Sequence, residues 1–264
     1  MDRRYRFFWV SFHEMQPTVP VLKKRIKHIL CDLDGTLIYS GDFRVYLDFI
    51  SKTLPNLKRH QGWRAAIRAL KESQSILKIP STLETNLERM IAVFQKHLKL
   101  EREQAIEELR VSMDVIFPKL KGHFGKMEGA AEFVAWAHQK YTLTLATNPV
   151  WSVELVKLRM SWGGINPDAF TSITTADRMH ATKPNLEYYR EILAQEGFDP
   201  SECLLVGNER EMDLPATQTG IAVFLIRLNA GELSCIQDPS SKEPGAWRGN
   251  YQHLQTMLEK NSSV

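Results

Sequence analysis

Two aspartates, Asp32 and Asp34, stand two residues apart at the end of an apolar run, with Gly35 and Thr36 directly after them. Carboxylates at this spacing point the same way if a strand runs through both, and a turn begun by Gly35 can re-aim the second. One can then attack a phosphorus atom while the other handles the leaving-group proton. Close carboxylates repel unless a cation lies between them, which points to a hard metal such as Mg2+. Three further stretches could support such chemistry. Thr147-Asn148 offers a hydroxyl and backbone N–H groups to phosphate oxygens, although Thr-Asn-Pro also starts helices. Lys183 precedes Pro184, a residue suited to the first position of a helix, so a cation sits at a positive helix end and implies a nearby anion. Gly207-Asn208-Glu209, followed after three residues by Asp213, places an amide and carboxylates just beyond another apolar run.

These residues need elements that bring them together. From His28 onward, short apolar runs of the kind buried parallel strands show cover 28–33, 141–146, 170–174, 203–207 and 222–228. Helical stretches over 128–140, 151–162 and 184–196 lie between most of them. Strand and helix in alternation predict a Rossmann-like α/β core, a parallel sheet with helices on both faces. Asp32, Thr147 and Asn208 each fall at a strand's carboxyl end, where ligands bind in such sheets.

About ninety residues after the first strand break this rhythm and read as helices without a strand. Leu87, Met90, Ile91, Phe94 and Leu98 share a face, as do Ile106, Leu109, Met113 and Ile116; Trp63, Ile67 and Leu70 repeat the spacing earlier. Ser81-Thr82-Leu83-Glu84 has the form of a capping box opening the Leu87 helix. The methionines and aromatics here are expected in a core. The domains so expected are an amino-terminal arm (1–24), a core (25–40 and 125–264) and a helical cap (41–124). The tail, rich in Gly, Ser and Pro until Trp247, ends in a short helix over 253–259.

The segment Leu30-Cys31-Asp32-Leu33-Asp34-Gly35-Thr36-Leu37 resembles the first motif of the haloacid dehalogenase-like hydrolases. Leu145 to Asn148, Thr182 to Pro184 and Leu204 to Asp213 are similar to the other three, in the family's order, and the resemblance covers about 27–228. It implies a phosphatase with a cap inserted after the first motif, selecting the substrate by closing over the site. By this resemblance Asp32 forms an aspartyl-phosphate, and Asp34 protonates the leaving alcohol and then activates water. Thr147, Asn148 and Lys183 hold the phosphate. Mg2+ lies among Asp32, Asp34, Asn208 and Asp213. The family carries an acid where Asn208 stands, so weaker metal binding is implied, with Glu209 or Asp213 taking a larger share. A metal-free dehalogenase, a phosphonate-cleaving enzyme, a phosphomutase and a catalytically weakened binding module on the same fold are the alternatives. The dehalogenase branch does not need the second carboxylate.

The chain of 264 residues is long enough for a core plus an insert, and 43% hydrophobic with 25% charged residues is ordinary globular composition. A net charge of +3 is too small to argue for nucleic acid, and no apolar run is long enough for a membrane span. Phe7 to Phe12 behind three arginines lacks a small-residue cleavage site and reads as an arm rather than a targeting segment. Cys31 and Cys203 sit in apolar runs and Cys235 outside them, without a CxxC pair, which fits reduced thiols and a cytoplasmic setting. The expected partner is a small phosphorylated metabolite, with neither nucleic acid nor membrane.

Overall fold

The strand β1 (His28–Cys31) is apolar after its first residue and is hydrogen-bonded on both edges, so both its faces and its sides are closed to water. The computed structural model describes residues 24–236 and 245–262. The expected amino-terminal arm, apart from Lys24, lies outside them.

After β1 the chain turns through Gly35, whose φ of +72° suits a residue without Cβ, and forms β2 (Ile38–Ser40). This pairs antiparallel with β3 (Phe124–Lys126), a two-stranded ribbon that joins the insert to the core. Between the two strands runs α1 (Asp42–Ile76), broken at Gln61 and Gly62, then α2 (Asn86–Leu98) and α3 (Arg102–Arg110). A π-helical turn (Val111–Ile116) and a 3-10 turn (Phe117–His123) complete the insert. The expectation of an insert without strands is therefore corrected. Its two ends are three-residue strands, too short to leave a period in the sequence.

The core continues with α4 (Ala130–His138), β4 (Thr142–Leu145), α5 (Val153–Trp162), β5 (Ser172–Ile173), α6 (Leu186–Glu196) and β6 (Cys203–Gly207). It ends with α7 (Arg210–Asp213), β7 (Ala222–Ile226), β8 (Ser234–Cys235), β9 (Ala246–Gly249) and α8 (Tyr251–Ser262). The sheet order is β5-β4-β1-β6-β7-β9-β8, parallel except between β8 and β9. Alternation along the strands divides the core. Ile29, Cys31, Leu143 and Leu204 pack with Phe133, Val156 and Leu254 on one face. Leu30, Leu205 and Val223 pack with Tyr188, Tyr189 and Ile192 on the other. Burial of Cys203 pushes its thiol up to about 12, and Cys31 is also a buried free thiol; Cys235 is free and exposed.

Four local expectations change. Thr85, not Ser81, caps α2, accepting from the N–H of Glu88 at 3.3 Å; Ser81 Oγ instead accepts from Leu83 and Glu84 in the turn before. The helix expected to open on Pro184 begins at Leu186 behind Asn185. Trp63, Ile67 and Ile106 are exposed rather than core, Trp63 lying under the Lys58 ammonium at 4.4 Å, whereas Met90, Ile91, Phe94, Leu98, Leu109 and Met113 are buried as a second core. The tail also forms β8 and β9 where only loop was expected.

The insert is stitched to the core. Ser81, Asn86 and Leu87 donate backbone N–H groups to His180, Met179 and Ala176, and Thr182 Oγ1 donates to the Leu77 carbonyl at 2.6 Å. Buried Asn86 Nδ2 reaches the carbonyls of Pro149 and Ala181. Close approach also governs the ribbon. A Cβ on Gly163, at the end of α5, would lie 2.1 Å from Ile38 Cγ2. Gly163→Ala is therefore expected to lower stability by about 1–3 kcal/mol through overpacking. Urea unfolding should show a lower midpoint at unchanged slope.

Candidate active site

Strand register sets the site. Cys31 lies beside Leu145 on one side and Val206 on the other, so the residues just beyond these three strands emerge at one sheet edge. Asp32 N–H still bonds to the Val206 carbonyl at 2.8 Å and Ala146 N–H to Cys31 at 2.7 Å, which carries the alignment one residue further. Asp32, Thr147, Asn148 and Asn208 thereby converge at the edge that open α/β sheets use for ligands.

The Lys183 ammonium reaches into this edge from the loop before α6. Its Nζ lies 2.8 Å from Asp32 Oδ1 and 2.8 Å from Asp213 Oδ1. The other Asp32 oxygen faces Thr36 Oγ1 at 3.0 Å, and that hydroxyl also lies 3.2 Å from Asn208 Oδ1. Burial, the largest effect, drives the Asp32 carboxyl up; Lys183 pulls it back and Asp213 pushes it up again, leaving it at about 6. Burial pulls the Lys183 ammonium down, but the charges of Asp213 and Asp32 outweigh it and hold the pKa well above the usual lysine value.

Asp213 is 1% exposed, and its second oxygen accepts the N–H groups of Asn208 and Glu209, each at 3.0 Å. All its hydrogen-bonding goes to shaping the 207–209 turn and holding Lys183. Gly207 makes this possible, since a Cβ there would lie 2.2 Å from Asp213 Oδ2. Asn208 packs its amide against Gly35, where a Cβ would lie 2.3 Å from Nδ2. Thr147 is buried, and its carbonyl accepts from Thr174 Oγ1 at 2.7 Å and Tyr188 OH at 2.8 Å. Asn148 Oδ1 is buried without a hydrogen-bond partner.

Asp34 lies apart from this cluster, more exposed, with Oδ1 accepting from Arg159 Nη2. Arg159 is 2% exposed, its Nε and Nη1 lack hydrogen-bond partners, and its guanidinium stands 5.6 and 5.5 Å from the ring centroids of Phe117 and Phe124. The sequence reading missed Arg159 and gave Thr36 no role. A signal for Arg159 existed: it shares the spacing of Leu155, Val156 and Met160, the buried face of α5. An arginine on an apolar face needs a partner.

The family model described as haloacid dehalogenase-like hydrolase matches residues 26–218. The chain belongs to the haloacid dehalogenase-like hydrolases. Among solved structures this hydrolase is similar to a 2-haloacid dehalogenase from Pseudomonas syringae pv. Tomato DC3000, at 16% identity and TM-score 0.58, over 89% of this chain and 99% of that one. It is similar too to a HAD phosphatase from Thermococcus onnurineus, at 19% identity and TM-score 0.51, over 88% and 98% of the two chains. At such identities the likeness is one of fold. A comparison with curated proteins finds no match.

Lys183→Met would leave two buried carboxylates facing each other without their cation. The expected cost is about 3–5 kcal/mol at pH 7. A buried carboxyl with a raised folded pKa favours the fold at low pH and loses that contribution as pH rises through the folded value. The deficit of this hydrolase variant against the parent chain, read by denaturant unfolding, should therefore shrink at pH 5.

Proposed function

We propose that this hydrolase cleaves a small phosphate monoester through an aspartyl-phosphate on Asp32. The observation that carries the reading is the pair of carboxylates in unequal surroundings. Asp32 is buried and held between Lys183 and Thr36, while Asp34, two residues on, is the more exposed and is held by Arg159. Asp32 is thereby aimed and held in place as a nucleophile must be, while Asp34 borders the cavity in which a leaving group would stand. Asp32 would attack phosphorus while Asp34 gives its proton to the leaving oxygen. Asp34 would then take a proton from the water that opens the acyl phosphate. Lys183 would offset charge on the transferring group, with Thr147 and Asn148 beside its oxygens.

The donors present suit a hard cation, though thinly. Asp32 contributes a carboxylate and Asn208 a neutral amide oxygen, both close to the Thr36 hydroxyl. Asp213 is already engaged by Lys183 and two N–H groups, and among the described residues no group of three or more His, Cys, Asp or Glu is arranged to hold a metal ion by itself. Mg2+ accepts one or two carboxylates because it keeps waters and shares substrate phosphate oxygens. Asp32, the Asp34 carbonyl and Asn208 would hold it. It would supply Lewis acidity to the phosphate.

A second reading is metal-free dehalogenation, in which Asp32 attacks carbon and expels halide. The neutral Asn208 and the engaged Asp213 favour it; the retained Asp34 does not.

Release of inorganic phosphate from an aryl phosphate, with and without Mg2+, separates the two. Phosphate release that Asp32→Asn reduces at least 100-fold is the expected result; halide release from a 2-haloacid without phosphatase activity would replace the reading with the second one. Mg2+ binding is checked apart from turnover. Because the cation must displace a proton from Asp32 below about pH 6, 10 mM Mg2+ is expected to raise Tm more at pH 7 than at pH 5. Asn208→Asp should lower the Mg2+ concentration needed for half the effect; an unchanged titration would remove residue 208 from the ligand set.

A further inference from the structure

A cavity of about 1010 Å³ lies between the cap and the core, with the site at one end. Asp34, Asn148, Arg159 and Lys183 contribute to its lining. Its body is made by side chains such as Val45, Phe49, Leu70, Met90, Phe94 and Trp151, from both the cap and the core. Lys78 alone brings a charge from outside the site, and it is exposed.

This lining has little to offer a polyol or a nucleoside. Tyr46 OH donates to Gln74 Oε1 at 3.2 Å and Ser112 Oγ to the Glu108 carbonyl at 2.8 Å, so these groups are already bonded within the cap. Ser73 Oγ, buried and without a hydrogen-bond partner, together with Ser40 and the Gln74 amide, leaves few polar groups for a volume that would hold a whole sugar phosphate with room left over. Each substrate hydroxyl brought in from water without a partner would weaken binding, whereas each methylene would strengthen it. The volume stands at the upper end of the range seen for small-molecule pockets. The cap is also tied to the loop that carries Lys183, by Thr182 Oγ1 on Leu77 and Asn185 Nδ2 on the Lys78 carbonyl at 3.0 Å. The apolar volume and the charged end are thus held in one frame.

We propose that the leaving group is a bulky, uncharged, apolar alcohol, a medium-chain alkyl or aryl group, seated in this cavity with its phosphate at Asp32. The proposal rests on the phosphate-ester reading of the site. In the reaction the bond between phosphorus and the alkyl or aryl oxygen breaks, Asp34 delivers a proton to that oxygen, and the alcohol departs. Water then releases inorganic phosphate from Asp32 and returns a proton to Asp34.

The full-length chain is assayed with Mg2+ on n-alkyl phosphates from ethyl to decyl, with glycerol 3-phosphate as the polar reference and inorganic phosphate as the readout. kcat/KM is expected to rise about two- to fourfold per methylene until the cavity is full. Octyl phosphate should then exceed glycerol 3-phosphate by roughly 100-fold or more on the same transfer scale. In parallel, calorimetry measures decyl phosphonate and ethyl phosphonate binding to the Asp32→Asn chain, which needs no turnover. Phosphate release that is flat with chain length, or greatest on glycerol 3-phosphate, would overturn the apolar leaving group and leave the hydrolase reading intact. Absence of phosphate release from every ester, with decyl phosphonate still bound far more tightly than ethyl phosphonate, would support the cavity's preference and overturn the phosphatase reading instead. Leu70→Gln should flatten the chain-length slope. A slope identical to the parent's would remove the alkyl chain from this volume.

Discussion

The contact on which the site depends is the Lys183 ammonium, buried between the carboxylates of Asp32 and Asp213. Three charges taken out of water are tolerable only when they compensate one another and their remaining hydrogen-bonding capacity is used. Here Asp32 turns its other oxygen to Thr36, and Asp213 turns its own to two backbone N–H groups. Those bonds join β1, the turn after β6 and the loop before α6. The same loop accepts the cap through backbone bonds from Ser81 and Asn86 to His180 and Met179. Removing the lysine would therefore disturb more than the proposed phosphate contact, because the converging strand ends and the cap share it as a tie point.

Where an element was legible in the sequence, one physical constraint acted on it alone. β6 reads directly because all five of its residues are buried and apolar. α2 reads well because Met90, Ile91, Phe94 and Leu98 must face one core. The ribbon of β2 and β3 was not legible, since three residues carry no period and their pairing is decided by partners more than eighty residues apart. The start of α2 was misplaced because both Ser81 and Thr85 precede a glutamate by three residues, and local sequence does not choose between them. Contacts with the core choose, by placing the Asn86 side chain between two core carbonyls.

The site shows the same division. Asp32, Thr147 and Asn208 could be placed at the sheet edge because each stands just beyond a strand, whereas Lys183, whose helix starts only at Leu186, reaches it from a loop. Which groups touch was not legible. Asp213, expected as a metal ligand, is placed so that its oxygens shape a turn and hold a lysine. Arg159 comes from the middle of a helix, where an apolar face conceals its purpose until Asp34 is seen beside it.

Charge links the two main features of the proposed chemistry. With Asp34 carrying the proton it gives to the leaving oxygen, Asp32 and Asp213 stand against Lys183 and Arg159, and the pocket has no net charge. A phosphate dianion would bring two negative charges into surroundings where burial already pushes the Asp32 carboxyl up to about 6. A divalent cation returns the pocket to neutrality, whereas a haloacid monoanion without one would leave its negative charge uncompensated. A phosphate substrate and a cation thus favour each other here, even with a neutral amide at Asn208. The same balance explains why an uncharged leaving group suits this pocket. A further anion in the body of the cavity would meet apolar walls, since Lys183 is held by Asp32 and Asp213, and Arg159, though its Nε and Nη1 are unpartnered, stands beside Asp34 at the site.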